Sequence, residues 1–126
     1  MKPRIAIVGT GAIGGYIGAH FTRAGEDVTL IDPWPEHVDT MRSRGLSITG
    51  MTPQEAFTTP VRALHLTDVQ QLAREKPIDI AFVSVKSYDT EWAVRMIAPY
   101  LADNGFVVSA QNCINEERVE IGRAHV

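Results

Sequence analysis

Six residues near the amino end restrict what this chain can fold into more than any other feature. Gly9-Thr10-Gly11-Ala12-Ile13-Gly14 sets three glycines at the spacing G-x-G-x-x-G, directly after the apolar run Ile5-Ala6-Ile7-Val8. That run is rich in β-branched residues and does not alternate with polar ones, the pattern of a strand buried on both faces of a parallel sheet. Ile13, Ile17, Phe21 and Ala24 then recur at helical spacing, and Gly25 supplies a C-terminal stop. Strand, glycine turn and helix in that order form the dinucleotide-binding fingerprint. Gly9 permits the tight turn off the strand, Gly11 leaves room for a pyrophosphate against the backbone, and Gly14 lets helix and strand pack closely. Ala12 and Ile13 bring the free amides and positive dipole end of the helix to the phosphates. Asp32 ends the next apolar run, Val28-Thr29-Leu30-Ile31, 18 residues beyond Gly14, where a carboxylate can accept hydrogen bonds from ribose hydroxyls.

The remaining chain continues the alternation. A polar helix is expected from about Glu36 to Arg44, closed by Gly45. Residues 46–50 and 57–64 read as extended segments around Met51-Thr52-Pro53 and predict a hairpin, with Pro60 suited to an edge. Thr67-Asp68-Val69-Gln70 has capping-box spacing and predicts a short helix that Pro77 terminates. Ile78 to Val85 reads as another buried strand. Ala93, Met96, Ile97, Tyr100 and Leu101 share one helical face, with Asp89 and Glu91 in the first turn and Pro99 predicting a kink near the end. Asp103-Asn104-Gly105 predicts a turn into a last strand, Phe106 to Ala110. The expected class is α/β, a Rossmann-type doubly wound, mostly parallel sheet with helices on both faces, and residues 1–126 read as one such domain.

Composition removes several classes of function. Twelve Lys and Arg against fifteen Asp and Glu give a net charge of −3 without basic runs, so no electrostatic footprint for nucleic acid is present. Lys2 and Arg4 before an apolar stretch imitate the start of a secretory signal, yet Gly9, Gly11, Gly14, Gly15 and Gly18 interrupt it. From Ile5 to Ala19 it is also shorter than the ~20 residues that span a bilayer, so no membrane partner is expected. The single cysteine, Cys113, excludes an internal disulfide framework and is compatible with a reducing cytoplasm. It reads as a small structural thiol, since no histidine is placed to activate it. His20, His37, His65 and His125 lack metal-ligand spacing, so no metal is expected. Ser84 and Ser109 lack the Gly-x-Ser-x-Gly elbow of a hydrolase.

Lys86 follows the strand starting at Ile78, and Asn112 follows the last one. Singly, they read as a solvated charge and a turn residue. Their matched placement at two strand ends, where the ligand crevice of a parallel sheet opens, points both at the cofactor. GTGAIGGYIGAHFTRAGEDVTLID, VSVKSYDT and SAQNCINEE, in this order and spacing, resemble the N-terminal domain of ketopantoate reductase (2-dehydropantoate 2-reductase) along nearly the whole chain. The resemblance implies that Lys86 and Asn112 reach the cofactor ribose and the substrate pocket; Cys113 stands where the family usually has glycine. It implies an oxidoreductase of pantothenate biosynthesis, cytoplasmic, delivering hydride to the keto carbon of 2-dehydropantoate or a related 2-oxo acid. The family's second, helical domain holds the general acid and a substrate-binding glutamate, so this chain is expected to be the cofactor half, to carry no catalytic residue of its own and to meet substrate through that other domain. A homo-oligomer is expected from the apolar surface that such a half exposes.

Two other readings share the fingerprint: a nucleotide-sensing module without enzymatic activity, and another two-domain dehydrogenase of the hydroxyacid or opine type. Lys86 and Asn112 together favour the reductase. NAD(P) is the expected cofactor class. The resemblance leans to NADP, whereas Asp32 leans to NAD, because its carboxylate would face a 2′-phosphate as a like charge. Pro33-Trp34-Pro35 makes a rigid turn beside it, and Arg42 and Arg44 are the cations considered for reaching a phosphate.

Overall fold

Ile5, Ala6, Ile7 and Val8 are buried without a polar interval because β1 (Arg4–Val8) is paired on both sides and has a packed layer against each face. The computed structural model describes residues 2–49, 52–85 and 90–109. Among them, five strands form one parallel sheet: β2 (Asp27–Asp32) pairs with β1, β5 (Arg62–His65) with β2, β6 (Ile78–Val83) with β1, and β7 (Leu101–Ser109) with β6. The spatial order is β5-β2-β1-β6-β7. The chain works outward from β1 through β2 to β5, then crosses back to β6 and β7. The order reverses between β1 and β6, the place where open α/β sheets bind ligands.

Alternation along β1 sorts the core into two layers. Ala6 and Val8 face a cluster with Val69, Leu72, Ala93, Val94 and Ile97, from the segments following β5 and β6. Ile5 and Ile7 face the opposite cluster, where Ala19 of α1 (Ala12–Arg23), Val38 and Met41 of α2 (Pro35–Arg44) and Leu46 pack. Helical segments therefore cover both faces, and the fold is of the Rossmann type, as the alternation of segments predicts. Gly25 ends α1 with φ +89°: its amide donates to Thr22 and that of Glu26 to Phe21, each at 3.0 Å, which satisfies carbonyls the helix leaves over.

Four local readings change in the structure. The hairpin forms from β3 (Leu46–Ile48) and β4 (Phe57–Thr59), which pair antiparallel in a separate two-stranded sheet. The predicted segment 57–64 is thus two strands rather than one. Pro60 lacks the amide to continue a ladder, and Arg62 to His65 leave the hairpin to join β2. The short helix after β5 is a 3-10 helix over Leu66–Arg74, and its capping box begins two residues earlier than predicted, between His65 and Asp68. Pro99 ends α3 (Thr90–Ile97) in a 3-10 turn, Ala98–Tyr100, and Leu101 already belongs to β7. Asp103-Asn104-Gly105 interrupts the register within β7: Leu101 faces Ile78, yet Phe106 faces Ile80.

At the amino ends of the strands, Glu75 receives two arginines. Arg62 of β5 forms a two-pronged pair at 2.7 and 2.6 Å, and the nearly buried Arg4 of β1 binds the same carboxylate while donating to the Lys76 carbonyl at 2.7 Å. These hydrogen bonds, from Arg62 foremost, hold the Glu75 carboxyl down from 4.5 to about 2. No helix among the described residues is long and apolar enough to cross a membrane.

Candidate functional site

The glycine turn lies at the carboxyl end of β1, beside the reversal in strand order. Gly9 has φ +92°, a conformation open to glycine and costly for a side chain. A Cβ there would also sit 2.7 Å from Val85 Cγ1 and 2.9 Å from the Val85 amide. Hydrogen bonds tie the turn to the strands on both sides: the Gly9 amide donates to the Ile31 carbonyl at 2.8 Å, and the Ser84 hydroxyl donates to the Gly9 carbonyl.

The other glycines divide the labour as their spacing predicts. A Cβ on Gly14 would collide with the Gly9 carbonyl oxygen and the Ser84 hydroxyl, so only glycine permits this approach of α1 to the turn. Gly18, one helical turn on, faces Leu30 and Ile7 of the sheet at 2.5 and 3.1 Å from the position of its missing Cβ. The Gly14/Gly18 spacing therefore serves helix-to-sheet packing. Gly11 differs: a Cβ there would meet nothing within 4 Å. Its openness leaves space over the first turn of α1, where the amides of Ala12, Ile13 and Gly14 have no intrahelical acceptor. Such a surface fits a pyrophosphate, which needs close backbone approach and several N–H donors.

Asp32, at the end of β2, is the hub beside the turn. It is 7% exposed. One carboxylate oxygen accepts from the Thr10 amide at 2.8 Å and the Thr10 hydroxyl at 2.6 Å, while the other accepts from the Trp34 amide at 2.8 Å. The Thr10 carbonyl lies 3.0 Å from Nε2 of His37, which must carry the proton because a carbonyl only accepts. Thr10 is thus clamped through its amide, hydroxyl and carbonyl. Arg42, considered above as a phosphate ligand, is committed elsewhere: it donates to the Ala63 carbonyl and to Asp68, each at 2.8 Å, and this pairing holds the Asp68 carboxyl below its usual range. Arg42 and Arg44 occupy the last turn of α2, about 10 and 13 Å along its axis from the end nearest Asp32.

The structure therefore brings Gly9, Gly11, Ala12, Ile13, Gly14 and Asp32 to one end of the sheet. Lys86, Asn112 and Cys113 lie outside the described residues. Thr10, Ser84 and His37 shape the site without being legible as site residues. Their sequence separations from their partners are 22, 75 and 27 positions, so spacing rules give no signal for them.

Residues 5–123 match the ketopantoate reductase PanE/ApbA family. The chain belongs to that family. It is 35% identical over 121 residues to the 2-dehydropantoate 2-reductase of Pyrococcus horikoshii, covering 94% of this chain and 36% of that protein. The Aquifex aeolicus enzyme of the same name is 35% identical over 124 residues, covering 96% and 36%. Among solved structures, a PanE/ApbA family ketopantoate reductase from Ralstonia eutropha superposes with a TM-score of 0.77 at 30% identity, over 98% of this chain and 38% of that one. D-mandelate dehydrogenase, determined with NADH and anilino(oxo)acetate, gives 0.78 at 25% identity, over 94% and 36%. The chain thus spans about a third of the length of the curated relatives it matches.

Proposed function

We propose that this chain is the dinucleotide-binding part of a nicotinamide-dependent reductase of 2-oxo acids, with 2-dehydropantoate as the first candidate substrate. The observation that carries the reading is the glycine turn at the strand-order reversal, closed at Gly14 and open at Gly11. The pyrophosphate would lie against Gly11 and the amides of Ala12 and Ile13. The nicotinamide, when bound in reduced form, supplies the hydride that turns a keto carbon into an alcohol. The names of the reductase relatives support the reaction, and the NADH and anilino(oxo)acetate in the D-mandelate dehydrogenase structure support the cofactor class and a small oxo-acid substrate. β6 ends at Val83 and β7 at Ser109, so Lys86 and Asn112 each follow a strand by three residues. We assign them to orient the cofactor ribose and the substrate.

NAD is the cofactor this reading selects. Asp32 places a nearly buried carboxylate beside the turn, and Arg42 is engaged with Ala63 and Asp68. A 2′-phosphate brought there would face like charge without that arginine. Titration of NADH and NADPH against the parent and Asp32→Asn tests this. The parent is expected to bind NADH more tightly, and the variant to lose that preference. The ratio is the readout, because Asp32 also clamps Thr10 and its replacement weakens binding of both cofactors. Tighter NADPH binding by the parent, unchanged in the variant, would overturn the assignment.

A further inference from the structure

We propose that Trp34 is the platform on which the adenine ring of the dinucleotide stacks; this rests on the dinucleotide reading above. Trp34 is 65% exposed, although a large aromatic gains most from burial. Its backbone is nevertheless tightly placed. Pro33 and Pro35 flank it, its amide donates to Asp32 at 2.8 Å, and its carbonyl accepts from the Val38 amide at 3.1 Å. It also occupies the N-cap of α2, where Ser, Thr, Asp or Asn would satisfy a free helix amide, and no side chain caps that helix. Local stability thus favours a different residue at this position. Departures from local rules of this kind concentrate at functional sites.

Position identifies the ligand. The carboxylate that holds the Trp34 amide holds Thr10 of the glycine turn through its other oxygen. Trp34 therefore stands two residues beyond Asp32, the position proposed to read the adenosine ribose, and the base is the group of the dinucleotide joined to that ribose. The remaining large exposed aromatics are placed elsewhere. Tyr16 on α1 has its ring 4.4 Å from His20, Trp92 is on α3, and Phe106 lines a pocket with Lys2 and Lys76 at the amino ends of the strands. At the end of β5, opposite Asp32, His65 binds Asp39 at 2.9 Å. Among the described residues, Trp34 is the large exposed aromatic on the loops that follow β1, β2 and β5. An indole offers a flat face to adenine, and base stacking on aromatic side chains lowers affinity about 5- to 150-fold when removed.

Calorimetric titration of ADP-ribose and NADH against the parent, Trp34→Ala and Trp34→Phe tests the assignment. Trp34→Ala is expected to weaken both ligands within that range with an unchanged melting temperature, and Trp34→Phe to retain most of the affinity. In a Trp92→Phe background, ADP-ribose is expected to quench the Trp34 fluorescence. Equal ADP-ribose affinity in the parent and Trp34→Ala, or a Trp34→Phe variant as weak as Trp34→Ala, would overturn the platform and leave the dinucleotide reading standing. A parent that binds neither ADP-ribose, NADH nor NADPH would overturn both.

Discussion

Three glycines within five residues of one another predict three different outcomes when a side chain is added. At Gly14 the new Cβ meets the Gly9 carbonyl and the Ser84 hydroxyl, a clash that includes backbone and cannot be relieved by a rotamer change. Overpacking of this kind costs about 1–3 kcal/mol and exceeds the gain of up to about 1 kcal/mol from better helix propensity. Gly15→Ala meets the Thr10 carbonyl oxygen at 3.4 Å, an ordinary contact, so the helix term decides the sign. Chemical denaturation is expected to rank Gly15→Ala above the parent and Gly14→Ala below it. Gly11→Val enters open space and should leave stability close to the parent while abolishing NADH binding by calorimetry. Retained tight binding in Gly11→Val would remove the pyrophosphate from this surface. Thr10 shows the limit of reading residues singly: nothing in its type announces a clamp, and only Asp32 and His37 make it one.

Strands β1 and β5 are not hydrogen-bonded to each other, and Glu75 links them through Arg4 and Arg62. The pairing depresses the folded-state carboxyl to about 2 from 4.5, so it stabilises the protein fully above about pH 4.5. That contribution is lost as pH falls from about 4.5 to 2, when the carboxylate protonates and both arginines lose their acceptor. The glutamate side chain is 29% exposed, and its solvent screening keeps the gain well below that of a buried pair. Replacing Glu75 with Gln removes the titration, so urea denaturation between pH 5 and 3 should show a shallower fall in stability for the variant. An identical acid limb in both proteins would show that the pair contributes nothing. The register shift in β7 is another property at this scale. Asp103-Asn104-Gly105 reads as a turn because it has turn composition, and it forms an interruption within an edge strand.

One sheet with a layer on each face gathers the turn, Asp32 and the Thr10 clamp at one end, and that arrangement is sufficient to propose binding without turnover. Reduction of a ketone also needs a proton delivered to the forming alkoxide, and a positioned general acid contributes about 10²–10⁴-fold. Among the described residues, the titratable side chains hydrogen-bonded to the glycine turn are Asp32 and His37, and both are spent on Thr10, while His65 at the end of β5 is paired with Asp39. A polypeptide of these 126 residues is therefore expected to bind NADH yet reduce 2-dehydropantoate at least ~10²-fold more slowly than a full-length relative, followed by the loss of NADH absorbance. Steady turnover at a comparable rate would place the proton donor within this chain.

The order of strand, glycine turn and helix was readable from the sequence because each part is encoded within a few residues. β-branched runs specify buried strands, a left-handed φ at Gly9 excludes side chains, and 3.6-residue spacing marks α1. The alternation of such units then leaves few topologies open. Tertiary structure alone decided how the polar groups are spent. The carboxylate of Asp32 holds Thr10 and Trp34, Arg42 binds Ala63 and Asp68, and residues 57–64 divide between two sheets at Pro60. A hydrogen bond is selected by which donors the packed elements bring within 3 Å, and those donors come from strands and helices distant in sequence. Hydrophobic periodicity holds the information for which face is buried, and none for which polar partner waits there.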